Sequence, residues 1–198
     1  MRAFIGISLP DGVRTRLASL QQQLDASRAD VKWVEPSNLH VTLKFLDEIT
    51  QEQRLTVEAL LGRVAGHERA FILELGHADA FPSTDAPRVL WVGLAQGKET
   101  VVRLAQAIER DGPAIPLRRA RPGAGPSRAG EERPFAAHVT LGRVRTPRNR
   151  AALSQRLQES VWSPPEAWHV SSLTLYESVL SSAGPHYNML ADIPLQAQ

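Results

Sequence analysis

Asn38-Leu39-His40-Val41-Thr42-Leu43-Lys44-Phe45-Leu46 and Ala136-Ala137-His138-Val139-Thr140-Leu141-Gly142-Arg143-Val144 share the tetrapeptide His-Val-Thr-Leu, 98 residues apart (138 − 40). Each copy reads as a β-strand, because Val, Thr, Leu and Phe dominate and polar and apolar residues alternate. In a strand, residues i and i+2 share a face. Each copy therefore puts an imidazole beside a threonine hydroxyl, with Val and Leu on the opposite face. Two such strands brought together place two imidazoles and two hydroxyls in one site. A lone His-x-Thr is an ordinary structural pair, but a repeated tetrapeptide is much less expected by chance. His67, His77, His169 and His186 have no repeated surroundings and read as surface or structural residues.

Elements can be placed outward from these strands. Ala3–Ser8 reads as a strand, followed by a helix that Asp11 can cap, with Val13, Leu17, Leu20 and Leu24 on one face. A short strand at 31–34 and the Pro36-Ser37-Asn38 turn lead into the first motif. Thr50 and Gln53 form a capping box for a second helix, with Leu60, Leu61 and Val64 inward. Phe71–Leu75 and Arg88–Leu94 are strands, separated by a turn-rich loop. A third helix runs from about Glu99 to Glu109. After the second motif, Thr146-Pro147 opens a fourth helix with Pro at its first position. Strands at 170–177 and 188–193 close the chain.

This order is α+β, with a motif strand feeding a helix in each half. The expected fold is bilobal and duplicated: two mainly antiparallel sheets form a central cleft, with helices on the outside. It is expected as a single domain over residues 1–198. Gly112–Arg133, rich in Pro, Gly and Arg, is expected to be a long mobile loop.

Composition narrows the classes. Hydrophobic residues make up 42% and charged residues 22%, ordinary for a soluble globular protein. No apolar run approaches the roughly 18–20 residues of a membrane span. The N-terminal apolar run, ended by Pro10, is too short for a secretory signal with its cleavage site, so a first strand and a cytoplasmic protein are expected. No cysteine is present, which excludes disulfides, thiolate nucleophiles and Cys-ligated zinc. The net charge is only +2 while the pI is about 9.4. With no Cys and two Tyr, little titrates between neutrality and the pI, so a small excess of base moves the pI far. The local density matters more: Arg118, Arg119, Arg121, Arg128, Arg133, Arg143, Arg145, Arg148 and Arg150 face only Glu131 and Glu132. Such a field suits a polyanion such as RNA, although a solvated arginine-rich loop is the simpler account.

Two facing imidazoles suggest paired general acid–base chemistry, because histidine titrates near neutral pH. The threonine hydroxyls can donate to phosphoryl oxygens, and Arg143 can add charge stabilisation. A metal is not expected, since each motif offers one good ligand and no accompanying carboxylate. Asp47 and Glu48 follow the first motif but read as the exposed end of its strand.

The paired His-x-Thr-x motifs resemble those of the two-histidine (2H) phosphoesterases. Trp33 to Leu46, Phe81-Pro82-Ser83, Arg88 to Gly93, Arg133-Pro134-Phe135 and Leu175 to Ser178 look like the RNA 2′,3′-cyclic phosphodiesterases, also called 2′-5′ RNA ligases. The likeness runs from the first strand to about Pro194. It implies metal-free, cofactor-free hydrolysis of RNA 2′,3′-cyclic phosphate ends to 2′-phosphomonoesters. It implies His40 as proton donor and His138 as proton acceptor, with Thr42, Thr140 and Arg143 on the phosphate and Phe45 as a base or ribose contact. The residues alone leave the two histidines equivalent. Small cyclic nucleotides are further candidate substrates, and a monomer is expected. The competing readings are a ligase joining a cyclic-phosphate end to a 5′-hydroxyl, and a non-catalytic nucleotide- or RNA-binding module. The connection at Gly112–Arg133 is longer and richer in arginine than the family pattern implies.

Overall fold

A computed structural model describes residues 1–112, 135–160, 162–182 and 184–197. The stretch expected to be a mobile loop therefore lies, beyond Gly112, outside the described residues, together with Arg118, Arg119, Arg121, Arg128 and Arg133. In chain order the elements are β1 (Arg2–Ser8), α1 (Asp11–Asp25), β2 (Val31–Trp33), a 3-10 turn (Pro36–Asn38), β3 (His40–Glu48), α2 (Gln51–Ala65), β4 (Phe71–Phe81) and β5 (Val89–Gln96). They continue with α3 (Lys98–Asp111), β6 (His138–Val144), α4 (Arg150–Glu159), β7 (Trp168–Val170), β8 (Ser172–Ser181) and β9 (Gly184–Pro194).

The strands form one path, β7-β4-β5-β6-β3-β1-β8-β9, with β2 added to β6. Every pairing between these strands is antiparallel. The path divides at its middle: the motif strands β3 and β6 pair only through Val41 and Val139. The two expected sheets are thus the halves of one curled sheet, meeting where the motifs lie.

The chain order repeats. The run β1-α1-β3-α2-β4 is matched by β5-α3-β6-α4-β8, and the last strand of each run crosses to the other half. β4 pairs with β5, and β8 pairs with β1. Each half is therefore completed by a strand from the other run. The helices carry the core's second layer. Val13, Leu17, Leu20 and Leu24 of α1, Val57, Leu60, Leu61 and Val64 of α2, and Val101, Leu104 and Ile108 of α3 are all buried. α1 packs on α4, α2 on α3, and α3 on β3.

A local signal sets the start of α2. Thr50 Oγ1 accepts the Gln53 amide at 3.2 Å while Gln53 Oε1 accepts the Thr50 amide at 2.8 Å. Such a cap contributes about 1 kcal/mol. Two expected starts differ. Asp11 is the first helical residue rather than the cap, and its carboxylate accepts Arg14 Nη1 at 3.0 Å. α4 begins at Arg150, with Asn149 capping in the left-handed region at φ 52°. Pro147 lies in the preceding turn, where its carbonyl accepts the Arg150 amide at 3.2 Å. Asparagine tolerates that backbone better than most residues, so the helix starts after it. Among the described residues no helix is long and apolar enough to cross a membrane.

Candidate active site

Strand alternation places the motif residues as the sequence predicts. Val41, Leu43, Val139 and Leu141 are buried in the core, while His40, Thr42, His138 and Thr140 are half-buried on the opposite, cleft face. The Val41–Val139 pairing brings the two motifs together across the middle of the sheet. In antiparallel register each imidazole comes toward the other motif's threonine.

Both imidazoles are oriented in the same way. The Nδ1 of His40 donates to the Asn38 carbonyl at 2.7 Å, and that of His138 donates to the Ala136 carbonyl at 2.6 Å. A carbonyl can only accept, so Nδ1 carries the proton and Nε2 is left for chemistry. At the first motif, the Thr42 hydroxyl lies 2.8 Å from His40 Nε2 and donates to it when the ring is neutral.

Each motif strand also carries a bulge at its fourth residue. Thr42 pairs with Gly6 and Lys44 with Ile5, which leaves Leu43 unopposed. Thr140 pairs with Trp91 and Gly142 with Leu90, which leaves Leu141 unopposed. A bulge shifts the strand's phase by one residue. On β3, Leu43 is buried and Lys44 turns to α3, where its Nζ meets Glu109 at 2.8 Å. On β6, Gly142 lies against Val31 and Trp33 of β2. The residue five positions past each histidine, on the far face of a regular strand, therefore returns to the cleft. These residues are Phe45, whose ring centre is 6.0 Å from that of Phe4, and Arg143. The bulge in β6 is held by buried Gln21 of α1, whose Nε2 donates to the Leu141 carbonyl at 2.9 Å and to the Val34 carbonyl at 2.7 Å.

Aromatic rings wall both imidazoles. His40 has Phe4 at 4.6 Å, Tyr187 edge-on at 5.4 Å and Tyr176 at 6.2 Å between ring centres. His138 has Phe81 at 5.5 Å and Trp91 at 5.8 Å, and those two rings stack at 4.8 Å. The walls set the electrostatics. Burial holds the His40 pKa below its ordinary value; the hydrogen bond to Asn38 opposes this and the charge of His138 reinforces it. His138 is lowered for the same main reason, opposed by the Ala136 hydrogen bond and reinforced by Arg143. Burial raises both Tyr176 and Tyr187.

Of the predicted site residues, His40, Thr42, His138, Thr140, Arg143 and Phe45 all reach the cleft face. Asp47 and Glu48 stay at the exposed end of β3. Among the described residues, no group of three or more His, Asp or Glu side chains is arranged to hold a metal ion. His77, read from sequence as surface or structural, is exposed near the cleft, 6.3 Å from the Trp91 ring. His67 follows α2, and His169 and His186 lie on β7 and β9. Tyr187, Phe4 and Gln21 were not legible as site residues. Each reaches the motifs from a strand or helix distant in sequence, with no local pattern to mark it.

Residues 7–91 match the family described as LigT like Phosphoesterase. Over 187 residues the chain is 30% identical to an RNA 2′,3′-cyclic phosphodiesterase of Methanothermobacter thermautotrophicus, covering 94% of this chain and 95% of that one. The chain belongs to the LigT-like phosphoesterases. A second member of the family, an RNA 2′,3′-cyclic phosphodiesterase of Aeropyrum pernix, is 33% identical over 178 residues, 90% of this chain and 94% of its own. The crystal structure of a Thermus thermophilus protein superposes with a TM-score of 0.74 at 28% identity, covering 100% of both chains. Escherichia coli LigT complexed with 3′-AMP gives a TM-score of 0.69 at 25% identity, over 98% of this chain and 97% of that one.

Proposed function

We propose that this LigT-like phosphoesterase hydrolyses RNA 2′,3′-cyclic phosphate ends to 2′-phosphomonoesters, with His40 and His138 carrying the proton transfers. The observation that carries this reading is the matched pair of imidazoles. Each has Nδ1 tied to the carbonyl two residues upstream, which leaves Nε2 as the reacting nitrogen, held in the first motif against the Thr42 hydroxyl. The names of the M. thermautotrophicus and A. pernix relatives supply the substrate class, and the LigT complex with 3′-AMP supports a nucleotide-sized ligand.

In the forward direction a water molecule attacks phosphorus and gives a proton to His138 Nε2. The bond from phosphorus to the 3′ oxygen breaks, and that oxygen takes a proton from His40 Nε2. The 2′ ester bond is untouched, so a 2′-phosphate results. The donor and acceptor labels follow the family likeness. Acting as donor, His40 must carry a second proton, which burial disfavours in the free protein. The negative charge of a bound phosphodiester offsets that cost in a site walled by rings. Thr42 and Thr140 donate to the non-bridging oxygens, and Arg143 balances the charge that builds on them. Phe45 offers an exposed ring face to the base or ribose.

The test is turnover of an oligonucleotide ending in 2′,3′-cyclic phosphate, in EDTA and without nucleotide, with the product identified. A 2′-phosphate product lost in both His40→Ala and His138→Ala supports the proposal. Full activity in either variant, or a 3′-phosphate product, overturns it.

A further inference from the structure

The cleft face continues past the reacting phosphate onto the ribbon formed by β2 and the end of β6. Val31, Lys32 and Trp33 pair with Val144, Arg143 and Gly142. Val31 and Trp33 turn to the core side, where a Cβ on Gly142 would meet them at 2.8 and 2.9 Å. Lys32 between them therefore faces the cleft side, directly opposite Arg143. The ladder runs one step further, since the Arg145 amide donates to the Asp30 carbonyl at 2.8 Å. Arg145 thus returns to the face of Arg143, about 6.8 Å further along the strand.

Lys32, Arg143 and Arg145 are all exposed. Among the described residues none of their side chains makes a salt bridge or hydrogen bond, and Asp30, the ribbon's carboxylate, pairs with none of them. Like charges directly opposite on a sheet are unfavourable without a counter-charge. A merely solvated surface would interleave acids, as Glu58 does with Arg54 within α2 and Glu68, after α2, does with Arg103 of α3. Here the unpaired cations extend in a line from the arginine beside His138.

We propose that Lys32 and Arg145 bind backbone phosphates of the RNA strand upstream of the cyclic end, making oligonucleotides better substrates than cyclic mononucleotides. The proposal rests on the cyclic-phosphodiesterase reading only for the identity of the strand's end. The charges on the track lie outside the proton-transfer machinery.

The test compares two ligands. One is a fluorescent RNA decamer ending in 2′-phosphate, followed by anisotropy over a range of salt concentrations. The other is a 2′,3′-cyclic mononucleotide, followed by turnover. Each phosphate contact on a single strand contributes roughly 0.7 to the salt slope, so the double variant Lys32→Gln, Arg145→Gln should flatten the decamer slope by about 1.4. Mononucleotide kcat/KM should stay at the wild-type level, which also reports an intact fold. The charge-preserving pair Lys32→Arg, Arg145→Lys should keep the wild-type slope. An unchanged slope in the neutral variant, or an equal loss in the charge-preserving one, overturns the track. Wild-type protein that binds the decamer with the expected slope but leaves an oligonucleotide ending in 2′,3′-cyclic phosphate intact overturns the hydrolase reading and leaves the track standing.

Discussion

Single side chains decide how the two histidines differ. The backbone carbonyl of Asn38 orients His40, and its buried amide Nδ2 donates to the Pro185 carbonyl at 2.7 Å. Asn38 therefore ties His40 to the strand that carries Tyr187, the ring edge-on to that imidazole. Ala136, its counterpart before His138, has no such side chain. Asn38→Ala orphans a carbonyl and lets that wall shift. A stability loss of about 1–3 kcal/mol is expected in denaturant titrations, with kcat down between about 10- and 100-fold. Removing either imidazole should cost more, about 10²- to 10⁴-fold in kcat/KM. The pH profile follows from the lowered pKa values of both rings. The proposed proton transfers need one ring charged and one neutral, so the bell of kcat/KM for the free enzyme should centre below about pH 6.5. Activity then falls as pH rises, because the donor has lost its proton. Arg143→Gln removes a charge that disfavours the protonated form of His138. Its bell should move to higher pH while its height drops.

Among the strands, the bulges decide what reaches the cleft. Period-two reading from His40 or His138 sends a residue five positions on to the core side. The extra residue at Leu43 and at Leu141 reverses that. The two bulges are braced differently, by Lys44 on Glu109 in β3 and by Gln21 on the Leu141 carbonyl in β6. Close approach of β1 to β3 is equally necessary. A Cβ on Gly6 would stand 2.8 Å from the Val41 carbonyl oxygen and 3.3 Å from His40 Cδ2. The carbonyl belongs to the ladder and cannot move cheaply. Gly6→Ala is expected to destabilise by about 1–3 kcal/mol in thermal melts and to reduce kcat by displacing the imidazole. A variant with wild-type stability and turnover would show that β1 yields more freely than this packing implies.

The whole chain is interlocked. β4 leaves its own run to complete the half that contains β5, and β8 leaves its run to complete the half that contains β1. Neither run can close its sheet without the other, although β3 and β6 meet through one residue pair. Unfolding should therefore be a single transition, with tryptophan fluorescence and far-ultraviolet circular dichroism changing together in denaturant. Two separated transitions would show that the halves fold independently.

The repeat of His-Val-Thr-Leu, its alternation and the helical stripes around it are local patterns. They were enough to read the α+β class, the motif strands and the four polar residues that share their faces. The capping box of α2 was readable for the same reason: its partners lie three residues apart. Other features depend on contacts between distant segments. The single Val41–Val139 junction, the crossed strands β4 and β8, the rings of Tyr187 and Phe4 on His40, and the brace from Gln21 leave no periodic trace in the chain. The placement of Phe45 and Arg143 shows the division most clearly. Their presence after each motif was legible from the residues. The family resemblance places both at the site, while alternation alone sends them to the far face: a β-bulge is set by pairing with β1 and β5, and it is that long-range pairing which turns both side chains back into the cleft.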